Sequence, residues 1–348
     1  MKLLMITRKV DLEDSSPAGF TYNWVKKIGE KLDKLYVITW QKSNKGNLPE
    51  NIEIISLPNN KLLKLFALKF QLLKILPKID GVFCHQNPEY TILSAPLAKF
   101  FRKKIISWHT HGSVNWKIKL VNFLTDKILT ASENSCRLKD RKKIKVVGHG
   151  IDTEKFIFSN KTQNQKFTVL SVGRISPTKD YETLIKAVEI LVKQKEKNNV
   201  EVKIVGGPVL KEDKKYFEKI QQLVRDKDLG EYIKFLGSVS HNEILSYYQN
   251  SDLFINLSQT GSIDKAVLEA MACGKLVLTS NEAFNNILKD KKLMFESKDF
   301  QNLANKIINL MKLSDEEKKE IEQSLRKKVI ENHNLDKLVI KILKVYEK

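Results

Sequence analysis

Short runs of apolar and β-branched residues alternate, along the whole chain, with longer segments in which apolar positions recur every three or four residues. The short runs predict β-strands, and the periodic segments predict helices. In the first half, strands are expected at Lys2–Thr7, Leu35–Thr39, Ile52–Ser56, Gly81–Cys84, Ile105–Trp108, Ile128–Thr130 and Ile144–Val147. In the second half they are expected at Phe167–Val172, Val200–Val205, Ile233–Phe235, Leu253–Asn256 and Lys275–Thr279. Because strands that alternate with crossover helices form parallel sheets, the pattern predicts an α/β protein with two doubly wound domains.

The division of the chain follows from its length and from one polar stretch. At roughly 100–200 residues per domain, 348 residues predict two domains, and the polar residues 158–166 precede a new strand. We expect one Rossmann-like domain over residues 1–160 and a second over residues 161–330. The final residues, 331–348, are expected to form a helix that returns to the first domain. Ser314 and Glu317 predict a capping box at the start of a helical segment that runs to the C-terminus.

The charge of the chain is uneven. The net charge is +20, with 28 basic and 14 acidic residues in positions 1–160 against 33 and 27 in the remainder. No run of about 18 apolar residues predicts a transmembrane helix, and the short apolar N-terminus is unlike a secretory signal, so we expect a cytoplasmic protein. Cys84, Cys136 and Cys273 lie far apart, which predicts reduced thiols and no zinc site.

Two cations follow one predicted strand in the second half. Residues 170–184 predict a strand that ends at Gly173, a turn, and a helix that begins near Asp180. Arg174 and Lys179 flank that loop at the carboxyl edge of the predicted sheet. Such a pair can hold a diphosphate, arginine through its planar fork and lysine as a point charge. In so lysine-rich a chain, a solvated loop with incidental basic residues fits the same spacing.

A second loop and helix follow in residues 256–278. A strand runs into Gly261 and Ser262, and a helix follows that Gly274 ends. A glycine lets a ligand approach the backbone, and the free amides at a helix start favour phosphate. Glu269 lies one to two turns into this helix beside apolar or small residues, where ribose hydroxyls would be suitable hydrogen-bonding partners. The alternative is a glutamate on the partly exposed surface.

A pair of histidines ends the strand predicted near residues 104–108. His109 and His111 lie beside Gly112, and two histidines there favour a site over a purely structural role. His149 is the more structural candidate. No carboxylate or cysteine at ligand spacing supports metal binding by the pair, so no metal is expected.

Several motifs carry a family resemblance. They are Val172-Gly173-Arg174 with Lys179, Phe235-Leu236-Gly237, Leu268-Glu269-Ala270-Met271-Ala272-Cys273-Gly274 and Gly148-His149-Gly150-Ile151-Asp152. Together they resemble the GT-B glycosyltransferases of the retaining family 4 type, along the whole chain. The resemblance implies two Rossmann-like domains that face each other across a cleft, with the acceptor on the first and a nucleotide-sugar on the second. It implies transfer of a sugar from a UDP- or GDP-linked donor to a glycan or lipid-linked acceptor in cell-envelope polysaccharide or glycolipid synthesis.

The resemblance also implies residue roles. Arg174 and Lys179 would neutralise the leaving diphosphate, Glu269 would hold the ribose, and no cofactor is expected beside the donor as co-substrate. His111 would lie near the anomeric centre and the acceptor, with His109 as the alternative. The donor would contact a further set of positions: Gly19, Gly173, Gly207, Pro208, Gly237, Val239, Gly261, Ser262, Asp264, Lys265, Ala266 and Val267.

The chain departs from the family pattern in two loops. The family carries paired glutamates eight positions apart, and the position eight before Glu269 is Gly261. Asp264 is then a candidate for sugar contact, although an aspartate there also fits a helix N-cap. The loop that contains Gly19 usually carries two glycines, and Ala18 fills the other position.

Residues 61–78 predict a basic amphipathic helix. Lys64, Gln71, Lys74 and Lys78 recur on one side, with leucine and phenylalanine around the remainder. Such a helix can lie in a bilayer interface with its lysines on anionic headgroups, which would place the protein at the inner face of the plasma membrane. A helix packed into the core fits the same pattern.

Other function classes compete with transfer. A GT-B sugar-nucleotide epimerase or a glycogen-type polymerising transferase would share most of the motifs. The high positive charge also suits a nucleic-acid-binding protein, but no RRM, KH or zinc pattern is present, so no nucleic-acid partner is expected.

Overall fold

The computed structural model describes residues 1–14, 16, 19–158, 166–258, 260–288 and 291–347. The chain forms two units, Met1–Asp152 with Asn334–Lys348, and Thr153–His333. The first boundary lies before residue 160, because Lys155 Nζ donates to the carbonyl of His241 at 2.9 Å and Arg326 donates to the carbonyl of Phe156 at 2.8 Å. The polar stretch expected to mark the boundary lies mostly outside the described residues.

The first unit is built on a parallel sheet. Its strands are β1 (Lys2–Thr7), β2 (Lys34–Thr39), β3 (Ile52–Ser56), β4 (Gly81–His85), β5 (Lys104–Trp108), β6 (Lys127–Thr130) and β7 (Ile144–Val146). Their order is β3-β2-β1-β4-β5-β6-β7. The helices between them are α1 (Thr21–Gly29), α2 (Lys61–Ile75), α3 (Pro88–Phe100) and α4 (Trp116–Leu124).

The second unit repeats this plan with a five-stranded sheet. Its strands are β8 (Phe167–Val172), β9 (Val200–Val205), β10 (Ile233–Phe235), β11 (Leu253–Asn256) and β12 (Leu276–Thr279), in the order β10-β9-β8-β11-β12. Its helices are α5 (Tyr181–Glu189), α6 (Lys211–Asp226), α7 (Ile244–Gln249), α8 (Lys265–Ala272), α9 (Asn285–Leu288), α10 (Phe300–Met311) and α11 (Asp315–Asn332). The strand order reverses beside β8, which is the point where open α/β sheets bind ligands.

The expected strands are confirmed, each within one residue of its predicted bounds. The C-terminal helical segment differs, because it is two helices rather than one. The capping box at Ser314 begins α11, and this helix ends at Asn332. Asn334 Oδ1 then accepts the backbone N–H of Lys337 at 2.9 Å, and a new helix, α12 (Leu335–Leu343), returns to the first unit.

The first unit has a core on each side of its sheet, because side chains alternate along β1. Leu3 and Met5 pack with α1 and α12. Leu4 and Ile6 pack with α2 and α3. Cys84, Cys136 and Cys273 are free thiols, as predicted, and each is buried. Within the described part of the chain, no helix is both long enough and apolar enough to cross a membrane.

Candidate active site

Glycines follow three neighbouring strands of the second sheet. Gly173, Gly206 and Gly237 follow β8, β9 and β10 and have φ angles of +154°, +138° and +73°. A Cβ atom on Gly206 would lie 1.9 Å from the carbonyl oxygen of Gly173, so no larger residue fits. The N–H of Gly206 donates to the carbonyl of Gly237 at 2.7 Å. Bare backbone therefore forms this part of the carboxyl edge, and a ligand can approach it closely.

The positions expected to lie beside a nucleotide base adjoin this edge. Gly207 accepts the N–H of Ile175 at 3.0 Å, and a Cβ on Gly207 would lie 2.9 Å from Ser238 Oγ. Pro208 and Val239 are half-buried nearby in the chain. The backbone is thus partly accessible where the sequence places the donor.

Lys179 and Asp264 form an ion pair at the start of α8. Lys179 Nζ donates to Asp264 Oδ1 at 3.1 Å, and the two side chains are 16% and 21% exposed. Asn256 Nδ2 donates to the other carboxylate oxygen at 2.9 Å. The same lysine lies against Gly173, where a Cβ would be 3.3 Å from Lys179 Cε. The loop after β8 and the start of α8 therefore meet through one cation.

Asp264 occupies the N-cap position of α8, but its side chain accepts no hydrogen bond from the helix. Its carboxylate is instead engaged by Lys179 and Asn256. Capping of the helix, the alternative role for this aspartate, is therefore not what its side chain does. The N–H groups of the first turn, at Lys265, Ala266 and Val267, point with the positive end of the helix dipole toward the loop, an arrangement suited to phosphate.

Arg174 lies farther out on the same loop. Its Nε is 3.7 Å from Asp213 Oδ2, and the arginine side chain is 39% exposed. Asp213 is buried and also accepts the N–H groups of Val209 and Leu210 at 3.2 and 2.9 Å. The guanidinium is thus anchored by its Nε while much of it faces solvent.

Glu269 is buried, which rules out the surface-glutamate alternative. Its Oε2 accepts from Tyr248 Oη at 3.0 Å, and its Oε1 lies 3.3 Å from His241 Nε2 and 4.0 Å from Lys265 Nζ. Burial raises the pKa of this carboxyl, but His241 and Lys265 outweigh it, and the pKa is held at about 2. The sequence predicts that ribose hydroxyls are the hydrogen-bonding partners of Glu269. In the structure, Tyr248 and His241 already occupy its carboxylate, so a ribose would have to share it with them.

The loop before α8 has no acidic side chain at the family's first glutamate position. Gly261 has φ +64°, and the carbonyl of the following Ser262 accepts from Asn281 Nδ2 at 2.8 Å. Asn256 in turn accepts from Thr279 Oγ1 at 2.9 Å. These two asparagines were not predicted as site residues, although polar residues at the ends of apolar strands are a signal that could have found them. Gln259, in the same loop, lies outside the described residues.

The two histidines of the first unit differ in environment. His109 is buried with its Nε2 3.0 Å from the carbonyl of His111, and burial lowers the pKa of its imidazole to about 4. His111 is exposed, and its Nδ1 accepts from Ser113 Oγ at 2.7 Å. His149 is buried against the ring of Trp108, and its Nδ1 accepts from the N–H of Gly150.

The other predicted donor contact of the first unit is Gly19, whose N–H donates to the carbonyl of Ser16 at 3.0 Å. Ser15, Pro17 and Ala18 of its loop lie outside the described residues. Among the residues that the structure does describe, no group of three or more histidine, cysteine, aspartate or glutamate side chains is arranged to hold a metal ion.

Known proteins resemble this chain in sequence and in structure. The family model for glycosyl transferases group 1 matches residues 152–332. The alpha-monoglucosyldiacylglycerol synthase of Acholeplasma laidlawii is 28% identical over 172 residues, which cover 45% of this chain and 41% of that protein. The UDP-Gal:alpha-D-GlcNAc-diphosphoundecaprenol alpha-1,3-galactosyltransferase of Escherichia coli is 26% identical over 220 residues, covering 60% and 54%. The chain thus spans about half or less of the length of these relatives.

A solved structure extends the likeness to the whole chain. Anabaena Alr3699/HepE in complex with UDP superposes with a TM-score of 0.79, 18% identity and coverage of 100% of both chains. This likeness confirms the expected GT-B fold class, and each of the two units is an α/β unit with a parallel sheet.

Proposed function

The chain belongs to the group 1 glycosyl transferases, which use nucleotide-sugars, and we propose that it transfers a sugar from a UDP-linked donor, with retention of anomeric configuration, to a lipid-linked or glycan acceptor. The observation that carries the proposal is the ion pair of Lys179 with Asp264 at the start of α8. Lys179 thereby lies both at the N-terminus of α8 and against Gly173, one of the glycines at the carboxyl edge of the sheet. These are the groups that a nucleoside diphosphate requires.

The chemistry of the leaving group explains this arrangement. When the bond between the anomeric carbon and the diphosphate breaks, its electron pair stays on the diphosphate oxygen, and negative charge accumulates there. Lys179, Arg174 and the first turn of α8 would stabilise that charge, which is electrostatic preorganisation by the protein's own groups. We therefore expect the transfer to proceed without a metal ion.

Asp264 would contact the transferred sugar in place of the family's first glutamate, whose position is Gly261 in this chain. Its carboxylate is occupied by Lys179 and Asn256. A bound diphosphate would compete for Lys179, and one carboxylate oxygen would then be available to accept a hydrogen bond from a sugar hydroxyl. Gly261 would leave room for the sugar at the position where a glutamate would otherwise project.

The choice of a uridine donor and of a lipid-linked acceptor is supported by the similar proteins. HepE is solved with UDP, and the E. coli relative is named for UDP-galactose and a diphosphoundecaprenol-linked acceptor. The A. laidlawii relative is named for a glycerolipid product. These names favour a role in cell-envelope glycolipid or polysaccharide synthesis. His111 or His109 would lie on the acceptor side.

Binding and product analysis test the proposal. We expect UDP and a UDP-sugar to raise the melting temperature of the protein more than GDP or a GDP-sugar does. Lys179→Ala and Arg174→Ala should each reduce that increase and lower transfer by roughly 100-fold or more, while their melting temperatures without nucleotide stay near the wild-type value. Lys214→Ala, an exposed lysine on α6, is the matched control.

The anomer of the product, followed by NMR, distinguishes retention from inversion. An inverted product would contradict the retaining assignment. An epimerised donor formed without any acceptor would point to a sugar-nucleotide epimerase. Normal transfer in both the Lys179 and Arg174 variants would refute the site.

A further inference from the structure

Helix α2 is buried on only one side. Leu68, Leu72 and Ile75 pack into the core of the first unit. The opposite side carries large apolar side chains that are half or more exposed: Leu62 69%, Leu63 59%, Phe66 69%, Phe70 65% and Leu73 50%. Single exposed leucines are ordinary in soluble proteins, but a contiguous apolar patch indicates an interaction surface.

Lysines border this apolar side. At about 100° per residue, Leu62, Phe66, Phe70 and Leu73 form one stripe, and Lys69 and Lys74 fall on opposite sides of it. Residues 61–78 contain five lysines and no aspartate or glutamate. The outer side of α2 is therefore an apolar strip between positive charges.

The polar side expected from the sequence is not the outermost one. Lys64 is half-buried, its Nζ donates to the carbonyl of Trp40 at 3.0 Å, and it lies 5.5 Å from the centre of that indole ring. Gln71 is also half-buried. Packing of α2 on the sheet thus turns Lys64 and Gln71 toward the protein, while Lys74 and Lys78 stay exposed and leucine and phenylalanine face solvent.

The neighbouring helices extend the same surface. α2 and α3 share one core, and α4 packs on that same side of the sheet through Ile118 and Val121. Phe100 at the end of α3 and Trp116 and Phe123 on α4 are 78%, 66% and 73% exposed. Lys99 Nζ lies 5.4 Å from the centre of the Phe123 ring. The three helices therefore present one layer of exposed apolar side chains.

Like α2, α4 carries lysines and no acidic residue. Residues 116–124 include Lys117 and Lys119 and no acidic residue. An anionic bilayer satisfies both features, because the apolar side chains enter the interface and the lysines remain at the headgroups. A second copy of the chain fits less well, because a symmetric contact through α2 would set Lys69 and Lys74 against the same lysines of the other copy.

We propose that the outer faces of α2 and α4, together with Phe100, dock the protein on an anionic lipid bilayer. This inference is separate from the proposed function, since it concerns the surface on which the enzyme lies and not the sugar that it transfers. The leucine and phenylalanine stripe of α2 inserts into the interface of the bilayer, while Lys69 and Lys74 contact lipid phosphates.

Co-sedimentation of the full chain with vesicles tests the proposal. Binding is expected to phosphatidylcholine vesicles that contain about one third phosphatidylglycerol, and to weaken in pure phosphatidylcholine and at high salt. Phe66→Ser with Phe70→Ser should lower the partition coefficient at least about tenfold. Lys69→Glu with Lys74→Glu should lower it by roughly fivefold or more for each lysine.

The control carries the same kinds of change on the other side of the sheet. Lys337→Glu with Ile340→Ser alters an exposed lysine and an exposed isoleucine of α12 and should leave vesicle binding unchanged. A melting temperature near the wild-type value in every variant, measured without nucleotide, excludes loss of the fold. Absence of vesicle binding at low salt would overturn the proposal. So would a concentration-dependent dimer of the wild-type chain that the Phe66 and Phe70 variant dissociates.

Discussion

Lys179 Nζ lies 3.1 Å from Asp264 Oδ1, across 85 residues of sequence and at the N-terminus of α8. The carboxylate therefore holds the lysine at the position where the leaving diphosphate would bind. It also competes with that diphosphate, because one ammonium cannot fully serve two anions. We therefore expect Asp264 to set both the orientation of Lys179 and the affinity of the proposed site for phosphate.

Replacing Asp264 separates these two effects. In Asp264→Asn the amide oxygen still accepts from Asn256, but the negative charge beside Lys179 is gone. UDP should then bind about fivefold more tightly, as expected for the loss of one modest ion pair, while sugar transfer falls because the sugar contact is weakened. Isothermal titration with UDP and steady-state transfer rates measure both. In a Lys179→Ala background the Asp264 change should no longer affect UDP affinity, and weaker UDP binding in the single variant would contradict the competition.

Glu269 is predicted to stabilise the second unit in a pH-dependent way. Its folded pKa of about 2 is below its ordinary value of 4.5, so its contribution is complete above pH 4.5 and is lost as the pH falls toward 2. Glu269→Gln should therefore lower the free energy of unfolding at pH 7 by about 2 kcal/mol. The difference from wild type should shrink on acidification, as followed by urea unfolding at pH 7, 5 and 3. A constant difference across that range would show that geometry rather than charge is responsible.

The sequence predicts the strands and the loop that carries Arg174 and Lys179. It does not predict which side chains contact the charged residues. Gly173 could be assigned because an apolar run stops at it. Tyr248 and His241 could not, since they meet Glu269 from 21 and 28 residues away with no periodic relation to it. Asp213 meets Arg174 from the start of α6 for the same reason. Contacts across a fold are set by how helices pack, which local patterns do not contain.

The exposed side of α2 illustrates a different limit. A helix with leucine and phenylalanine on most of its circumference shows the same pattern whether all or half of it is buried. Leu72 and Phe70 are both apolar, yet the first is fully buried and the second is 65% exposed. Only the position of α2 on the sheet decides which of them faces solvent.

Gly206 is predicted to tolerate no side chain. A Cβ there would lie 1.9 Å from the carbonyl oxygen of Gly173, and its φ of +138° also disfavours other residues. Gly206→Ala should cost at least about 3 kcal/mol of unfolding free energy or displace the β8 loop, and UDP binding should be lost with it. Gly230→Ala is the matched control, because no other group lies within 4 Å of the place that its new methyl group would take. Equal stability of the two variants, measured by thermal unfolding, would argue against this close approach.

His109 is predicted to make the first unit sensitive to mild acid. Burial lowers the pKa of His109 from 6.5 to about 4, so the unfolded chain takes up a proton there before the folded chain does. The contribution of His109 to the free energy of unfolding is therefore complete above pH 6.5 and is lost as the pH falls through 4. His109→Gln should reduce the loss of unfolding free energy between pH 7 and 4.5 by about 2 kcal/mol. A His109→Gln variant that keeps the wild-type slope would rule out burial of this imidazole as the cause.

Glu322 on α11 is predicted to have the opposite dependence. Burial, reinforced by the charge of Asp252, raises the pKa of its carboxyl from 4.5 to about 7 against the opposing effect of Lys275. Its contribution to stability is therefore complete below pH 4.5 and is lost as the pH rises through 7. Glu322→Gln should raise the free energy of unfolding at pH 8 by about 1 kcal/mol, a value reduced for partial solvent exposure, and should have no effect at pH 4.5. Glu320→Gln, on the exposed side of the same helix, should change neither value, and a Glu322 variant that is less stable at pH 8 would show that the carboxylate is favourably paired after all.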